Sequence, residues 1–156
     1  MQNNWTVRAD NGAWFEDGPD RGRILASGGD TGGRYSLMEW IVAAAETPAP
    51  DAPRSYGPHR HREIEETFYV KSGNLEFLLG EQVVTLNAGD FVRVPPGVRH
   101  GYANVSGAAV ALLVGFHPGG FEELFVKHRT DQAEPPPSDG FIADATRLYA
   151  SEFETS

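Results

Sequence analysis

The stretch His59-Arg60-His61-Arg62-Glu63-Ile64-Glu65-Glu66, separated by six residues from Gly73, decides the reading of this chain. Side chains alternate along an extended backbone, so His59 and His61 project from one face. Glu66 opens the next strand, and Phe68 and Val70 share its inward parity. Glu65 then faces away, although it remains a competitor for the carboxylate role. A second pattern runs from Gly89 through Pro95-Pro96-Gly97 to His100 and Asn104. The proline-rigid turn fixes where the His100 ring points as its strand begins. His59, His61, His100 and Glu66 therefore make a set of three imidazoles and one carboxylate, all at the starts of strands. The chain has no cysteine, so any metal must be held by nitrogen and oxygen. Imidazole suits Zn, Cu, Fe and Ni, and a carboxylate extends the range toward Mn. Four protein ligands leave open positions on an ion that takes five or six. Glu66 could also loosen from the ion and accept a proton as a general base.

Outward from these motifs, short segments rich in Val, Leu, Phe and Tyr occupy residues 66–71, 75–79, 82–86, 91–94, 100–105 and 109–116. Turn chemistry separates them: Ser72-Gly73-Asn74, Gly80-Glu81, Asn87-Ala88-Gly89-Asp90, Pro95-Pro96-Gly97 and Ser106-Gly107. A turn signal every eight to ten residues marks an antiparallel sandwich or barrel. Earlier strands are expected at 13–16, 23–26 and 34–44. Residues 47–58 hold Pro48, Pro50, Pro53 and Pro58 and are expected to form a loop. After Pro118-Gly119-Gly120 the spacing turns helical, with Phe121, Leu124, Phe125 and His128, and later Ile142, Ala145, Leu148 and Tyr149. The expected division is a barrel over 1–133, with its motif core at 57–116, and a linker and helical tail over 134–156. That tail would pack on the barrel or on a partner subunit.

The paired motifs resemble those of the cupin superfamily, conventionally G-x5-H-x-H-x3-4-E-x6-G and G-x5-P-x-G-x2-H-x3-N. Gly89, Pro95, Gly97, His100 and Asn104 satisfy the second completely; His59, His61, Glu66 and Gly73 satisfy the first. Pro53 stands where its leading Gly is expected, with Gly57 close by. Thr31-Gly32-Gly33-Arg34-Tyr35-Ser36-Leu37 and Pro118-Gly119-Gly120-Phe121-Glu122 are similar to small bacterial cupins of the quercetin-dioxygenase-like type. The resemblance implies an all-β, double-stranded β-helix, a jelly-roll barrel, with one or two short C-terminal helices. It also implies a metal-dependent oxygenase that takes O2 and a small enolic, aromatic or flavonol-like substrate. His59, His61, Glu66 and His100 would be the ligands, with Glu66 also a base. Iron(II) is the first choice of divalent ion, with manganese, nickel and zinc as alternatives. A zinc-dependent cyclase or isomerase and a non-catalytic binding protein are the competing readings, and a homodimer is implied by analogy. Phe68, Phe77, Tyr102 and Phe116 are candidates for the substrate pocket, and Tyr102 could also donate a proton.

The whole chain of 156 residues balances 13 basic against 22 acidic side chains, a net charge of −9. A phosphate backbone is repelled by such a surface, so no nucleic-acid partner is expected. The apolar run 108–116 is too short to span a bilayer as a helix, so no membrane partner is expected either. Residues 1–10 lack a signal-peptide core, and a cytoplasmic location is expected. His117 and His128 belong to no motif. Arg54, Arg60 and Arg62 read as part of a solvated charge cluster, and Asp144, Glu152 and Glu154 in the tail carry no functional weight.

Overall fold

Alternating apolar residues become the inward faces of two antiparallel sheets. The computed structural model describes residues 6–10, 12–44, 56–128 and 139–154. One sheet has the strand order β1 (Phe15–Asp17), β2 (Asp20–Ala26), β3 (Ser36–Val42), β10 (Val110–His117), β5 (Glu65–Ser72), β8 (Phe91–Val94). The other runs β11 (Ser151–Phe153), β4 (Tyr56–His61), β9 (His100–Ala103), β6 (Asn74–Leu79), β7 (Gln82–Asn87). The two sheets form a jelly-roll β-barrel, with α1 (Gly28–Thr31) in the β2–β3 connection and α2 (Glu122–Lys127) and α3 (Asp139–Tyr149) near the C-terminus. No helix among the described residues is long and apolar enough to cross a membrane.

Period-two patterning fills the barrel. Met38, Trp40 and Val42 on β3, Phe68 and Val70 on β5, and Leu112, Val114 and Phe116 on β10 are all buried. Each such side chain contributes about 1.5–3 kcal/mol on leaving water. Residues of β10 pair with β3 on one side and β5 on the other, placing the Glu66 backbone opposite Phe116. Gly97 has φ of +83°, a conformation L side chains rarely adopt. Its N–H donates to the His61 carbonyl at 2.7 Å. The turn before His100 is thereby tied to the strand that carries His61. Asn104 donates to the Ala43 and Ala108 carbonyls at 2.8 and 2.7 Å and accepts from Ser106, so this motif residue closes the turn after β9.

Several sequence expectations change. Pro58 lies inside β4, not in a loop; a register shift between Tyr56 and His59 lets the strand absorb a residue without an N–H, and its carbonyl accepts from Glu154 N at 2.9 Å. Residues 47–55, with Arg54 and Pro53, lie outside the described residues, as does the linker over 134–138. The early strands run Phe15–Asp17, Asp20–Ala26 and Ser36–Val42, shifted from the expected bounds. The expected helices are α2 and α3, and the tail then ends in a strand that helical spacing did not suggest. That strand, β11, pairs with β4: Ser151 opposite His61, Glu152 opposite Arg60, Phe153 opposite His59.

Candidate metal centre

Three strands carry the four candidate ligands. β4 presents His59 and His61 from one face, β5 presents Glu66 from its second position, and β9 opens with His100, cross-strand from His59. One donor atom from each of the four lies within 4.8 Å of all the others. Opposed donors at roughly 2.1 Å from one ion would stand about 4.2 Å apart, so the set is close to coordination size. Exposure of the four residues is between 1% and 8%, too little for water to solvate a carboxylate and three rings freely.

The outer nitrogens show which edge of each ring is available. His59 Nδ1 donates to the Gly57 carbonyl at 2.9 Å, and His100 Nδ1 to the Val98 carbonyl at 3.0 Å. His61 Nδ1 is hydrogen-bonded to the Ser151 hydroxyl at 2.7 Å. With Nδ1 engaged in each ring, Nε2 is left for the centre, the arrangement that orients histidine toward a metal. His100 Nε2 lies 2.8 Å and His61 Nε2 3.2 Å from the same Glu66 oxygen. This donor set fits a divalent ion of the imidazole-binding type, and His59, His61, Glu66 and His100 are the residues that could hold it.

Electrostatics separate the four groups. Burial, then the neighbouring His100 and His61, push His59 down to about 3, so its ring stays neutral. Burial works to raise the Glu66 carboxyl, but the hydrogen bonds from His100 and His61 outweigh it and hold Glu66 well below the usual carboxylate range. Burial would lower His100; its hydrogen bond to Glu66 reverses that and raises it. Burial, then the charges of Asp20 and Glu66, hold the Tyr102 hydroxyl well above its ordinary value.

A cavity of about 30 Å³ adjoins three of the four residues, His59, His61 and Glu66, enough for roughly one or two water-sized groups. Its barrel wall includes Met38, Trp40, Phe68, Tyr102, Val114 and Phe116, and its roof Phe121, Phe125, Phe141 and Phe153. Of the aromatic candidates, Phe68, Tyr102 and Phe116 line this cavity. Phe77 does not: fully buried, it packs 4.8 Å from Phe68 and 6.2 Å from Tyr102, ring centre to ring centre, and is absent from the lining. Its parity is inward, but it forms core behind two rings that reach the cavity first. Glu65 turns outward to Arg93, 2.6 Å away. The sequence does not reveal the roof because Phe121, Phe125 and Phe141 lie at or in helices whose spacing reads as ordinary core, and Phe153 lies on a strand of only three residues. On the exposed side of β11, Glu152 pairs with Arg60 and Arg62, and Glu154 with Arg99, beside the ligand strand. His128 joins Lys127 and Arg147 on Asp144, while His117 stacks on Tyr35.

Residues 47–116 match the cupin domain family. Quercetin 2,3-dioxygenase of Bacillus subtilis (strain 168) is 34% identical over 105 residues, 66% of this chain but only 28% of that protein. Among solved structures, a predicted oxalate decarboxylase from Thermotoga maritima superposes with a TM-score of 0.63 at 16% identity, over 72% of this chain and 98% of the other. The polyketide cyclase RemF from Streptomyces resistomycificus gives 0.56 at 23% identity, over 72% and 78%. Streptomyces PAC13, a nucleoside dehydratase, gives 0.57 at 17% identity, over 77% and 87%. At these identities the likeness of the solved structures is one of fold.

Proposed function

The chain carries a cupin domain and resembles quercetinase-like proteins, and from that premise we propose that it is a metal-dependent oxygenase acting on a small aromatic or enolic molecule. One observation carries the proposal: three imidazole Nε2 atoms and the Glu66 carboxylate meet at one buried point, each imidazole Nδ1 already engaged. An ion bound there supplies Lewis acidity toward a substrate oxygen and, as iron(II), manganese or nickel, a route to O2. Glu66 stays ionised and is the group placed to accept a proton from an enol or phenol oxygen. Tyr102 stays protonated, so it offers a substrate oxygen a hydrogen-bond donor rather than a charge. The aromatic walls exclude water, and among the described residues no Lys or Arg lines the cavity, which disfavours phosphorylated or polycarboxylate substrates. A catechol or flavonol is much larger than the free space, so roof rings such as Phe141 and Phe153 must swing aside to admit it.

The test is oxygen consumption by the iron(II)-loaded protein on moving a catechol and flavonol panel from anaerobic to aerobic buffer. Substrate loss matched by O2 uptake, and abolished in Glu66→Gln, is the expected result. No uptake with any panel member and any of iron, manganese or nickel overturns the oxygenase reading. Oxygen-insensitive turnover with zinc would instead favour a Lewis-acid cyclase or isomerase, a reading to which the Glu66 carboxylate, hydrogen-bonded to two imidazoles, is equally suited.

A further inference from the structure

Strand β11 lies beyond the cupin match, yet its two inward residues face two imidazoles of the centre. We propose that Ser151 is a positioning residue of the metal site, setting the tautomer and tilt of His61 while Phe153 braces His59. The inference rests on the metal-binding reading above. His59 and His100 are each oriented by a carbonyl two residues upstream in their own chain segment, Gly57 and Val98. His61 takes its orientation from a side chain 90 positions away: the Ser151 hydroxyl, 2.7 Å from Nδ1. Ser151 is fully buried, as is nearly all of His61, so water does not compete for that bond. When Nδ1 carries the proton and donates to Ser151, the Nε2 lone pair is committed to the side where Glu66 lies 3.2 Å away.

The strand is built for this task. Strand alternation sends Ser151 and Phe153 inward and Glu152 outward. Phe153 stacks on His59, ring centres 5.0 Å apart and planes 16° from parallel. Glu152 meets Arg60 and Arg62 on the outside, and the ladder is extended by Arg62 N donating to the Ala150 carbonyl and Glu154 N to Pro58. Register therefore places the hydroxyl, and the β4–β11 pairing holds it there.

The experiment measures zinc affinity of the full chain by competition with a chromophoric chelator, and the visible spectrum of its cobalt(II) form. Three proteins are compared: wild type, Ser151→Ala and Glu152→Ala. Ser151→Ala is expected to weaken zinc binding by about 10- to 100-fold and to shift the cobalt bands, with the far-ultraviolet circular dichroism of the metal-free protein unchanged. Glu152→Ala, altered on the outward face, is expected to match wild type in both readouts. Wild-type affinity and spectrum in Ser151→Ala overturn the role of Ser151. Equal weakening in both variants also overturns it, because docking of the strand rather than the hydroxyl would then be responsible. A wild-type protein that takes up neither zinc nor cobalt overturns the metal-binding reading itself.

Discussion

His59 and His100 face each other across β4 and β9, yet their affinities for a proton diverge. Glu66 bonds His100 directly and favours its charged form; His59, sealed in beside two other imidazoles, is kept neutral down to about pH 3. In the unfolded chain His59 would titrate near its ordinary value of 6.5. Between pH 6.5 and 5 the unfolded state therefore binds a proton at this position that the folded state refuses, and stability falls as pH falls. The carboxylates stay largely ionised in both states over that window; His100, raised by Glu66, works in the opposite direction but offsets only a small part of the loss, because its unfolded ring is itself protonated by pH 5. The contribution is about 2 kcal/mol at most. Thermal unfolding of chelator-treated protein should show a lower midpoint at pH 5 than at pH 6.5, and His59→Gln should remove much of the difference. Because an ion binds only neutral rings, loading it should widen the same gap.

The connection between α1 and α2 runs largely through one side chain, beside a backbone bond from Gly119 N to the Gly33 carbonyl. Glu122 is fully buried and accepts from Gly28 N at 2.6 Å and Gly120 N at 2.7 Å, joining segments 94 residues apart. It thereby anchors the start of α2, whose neighbours Phe121 and Phe125 roof the cavity. Hydrogen bonds to charged groups contribute roughly 1.5–3 kcal/mol each, so Glu122→Ala should cost about 3 kcal/mol or more in chemical denaturation at pH 7. A loss below about 1 kcal/mol would show that the two N–H groups find other acceptors. Legibility also differs by element. The strands around the ligands could be read because their turns demand particular residues, as Gly97 and Asn104 show, and because parity pairs Glu66 with Phe68. β11 could not: three residues are too few for an alternating signal, and nothing local in Ser151-Glu152-Phe153 points to His59 or His61. The helix α3 was legible from its spacing, but which surface its Phe141 would cover depends on contacts far away in sequence.

At the scale of the whole molecule, the C-terminal segment is held mainly by charge on its outside and by rings on its inside. Arg60 and Arg62 with Glu152, Arg99 with Glu154, and Lys127 and His128 with Asp144 fasten α3 and β11, whereas Phe141 and Phe153 enter the cavity roof. Most of these ion pairs are exposed and individually weak, and salt screens them. Hydrogen exchange in 1 M sodium chloride should therefore accelerate at Ser151–Phe153 while β5 and β10 stay protected. Uniform protection across all three strands would mean that apolar packing alone holds the segment. β11 is also the outermost strand of its sheet, and only three residues long. A chain cut back to residue 150 would bare the flank of β4, a row of unpaired amides and carbonyls on which another molecule's strand can template. The short C-terminal ribbon is thus a guard against self-association, and shortened versions of the protein should precipitate for that reason before any loss of chemistry is noticed.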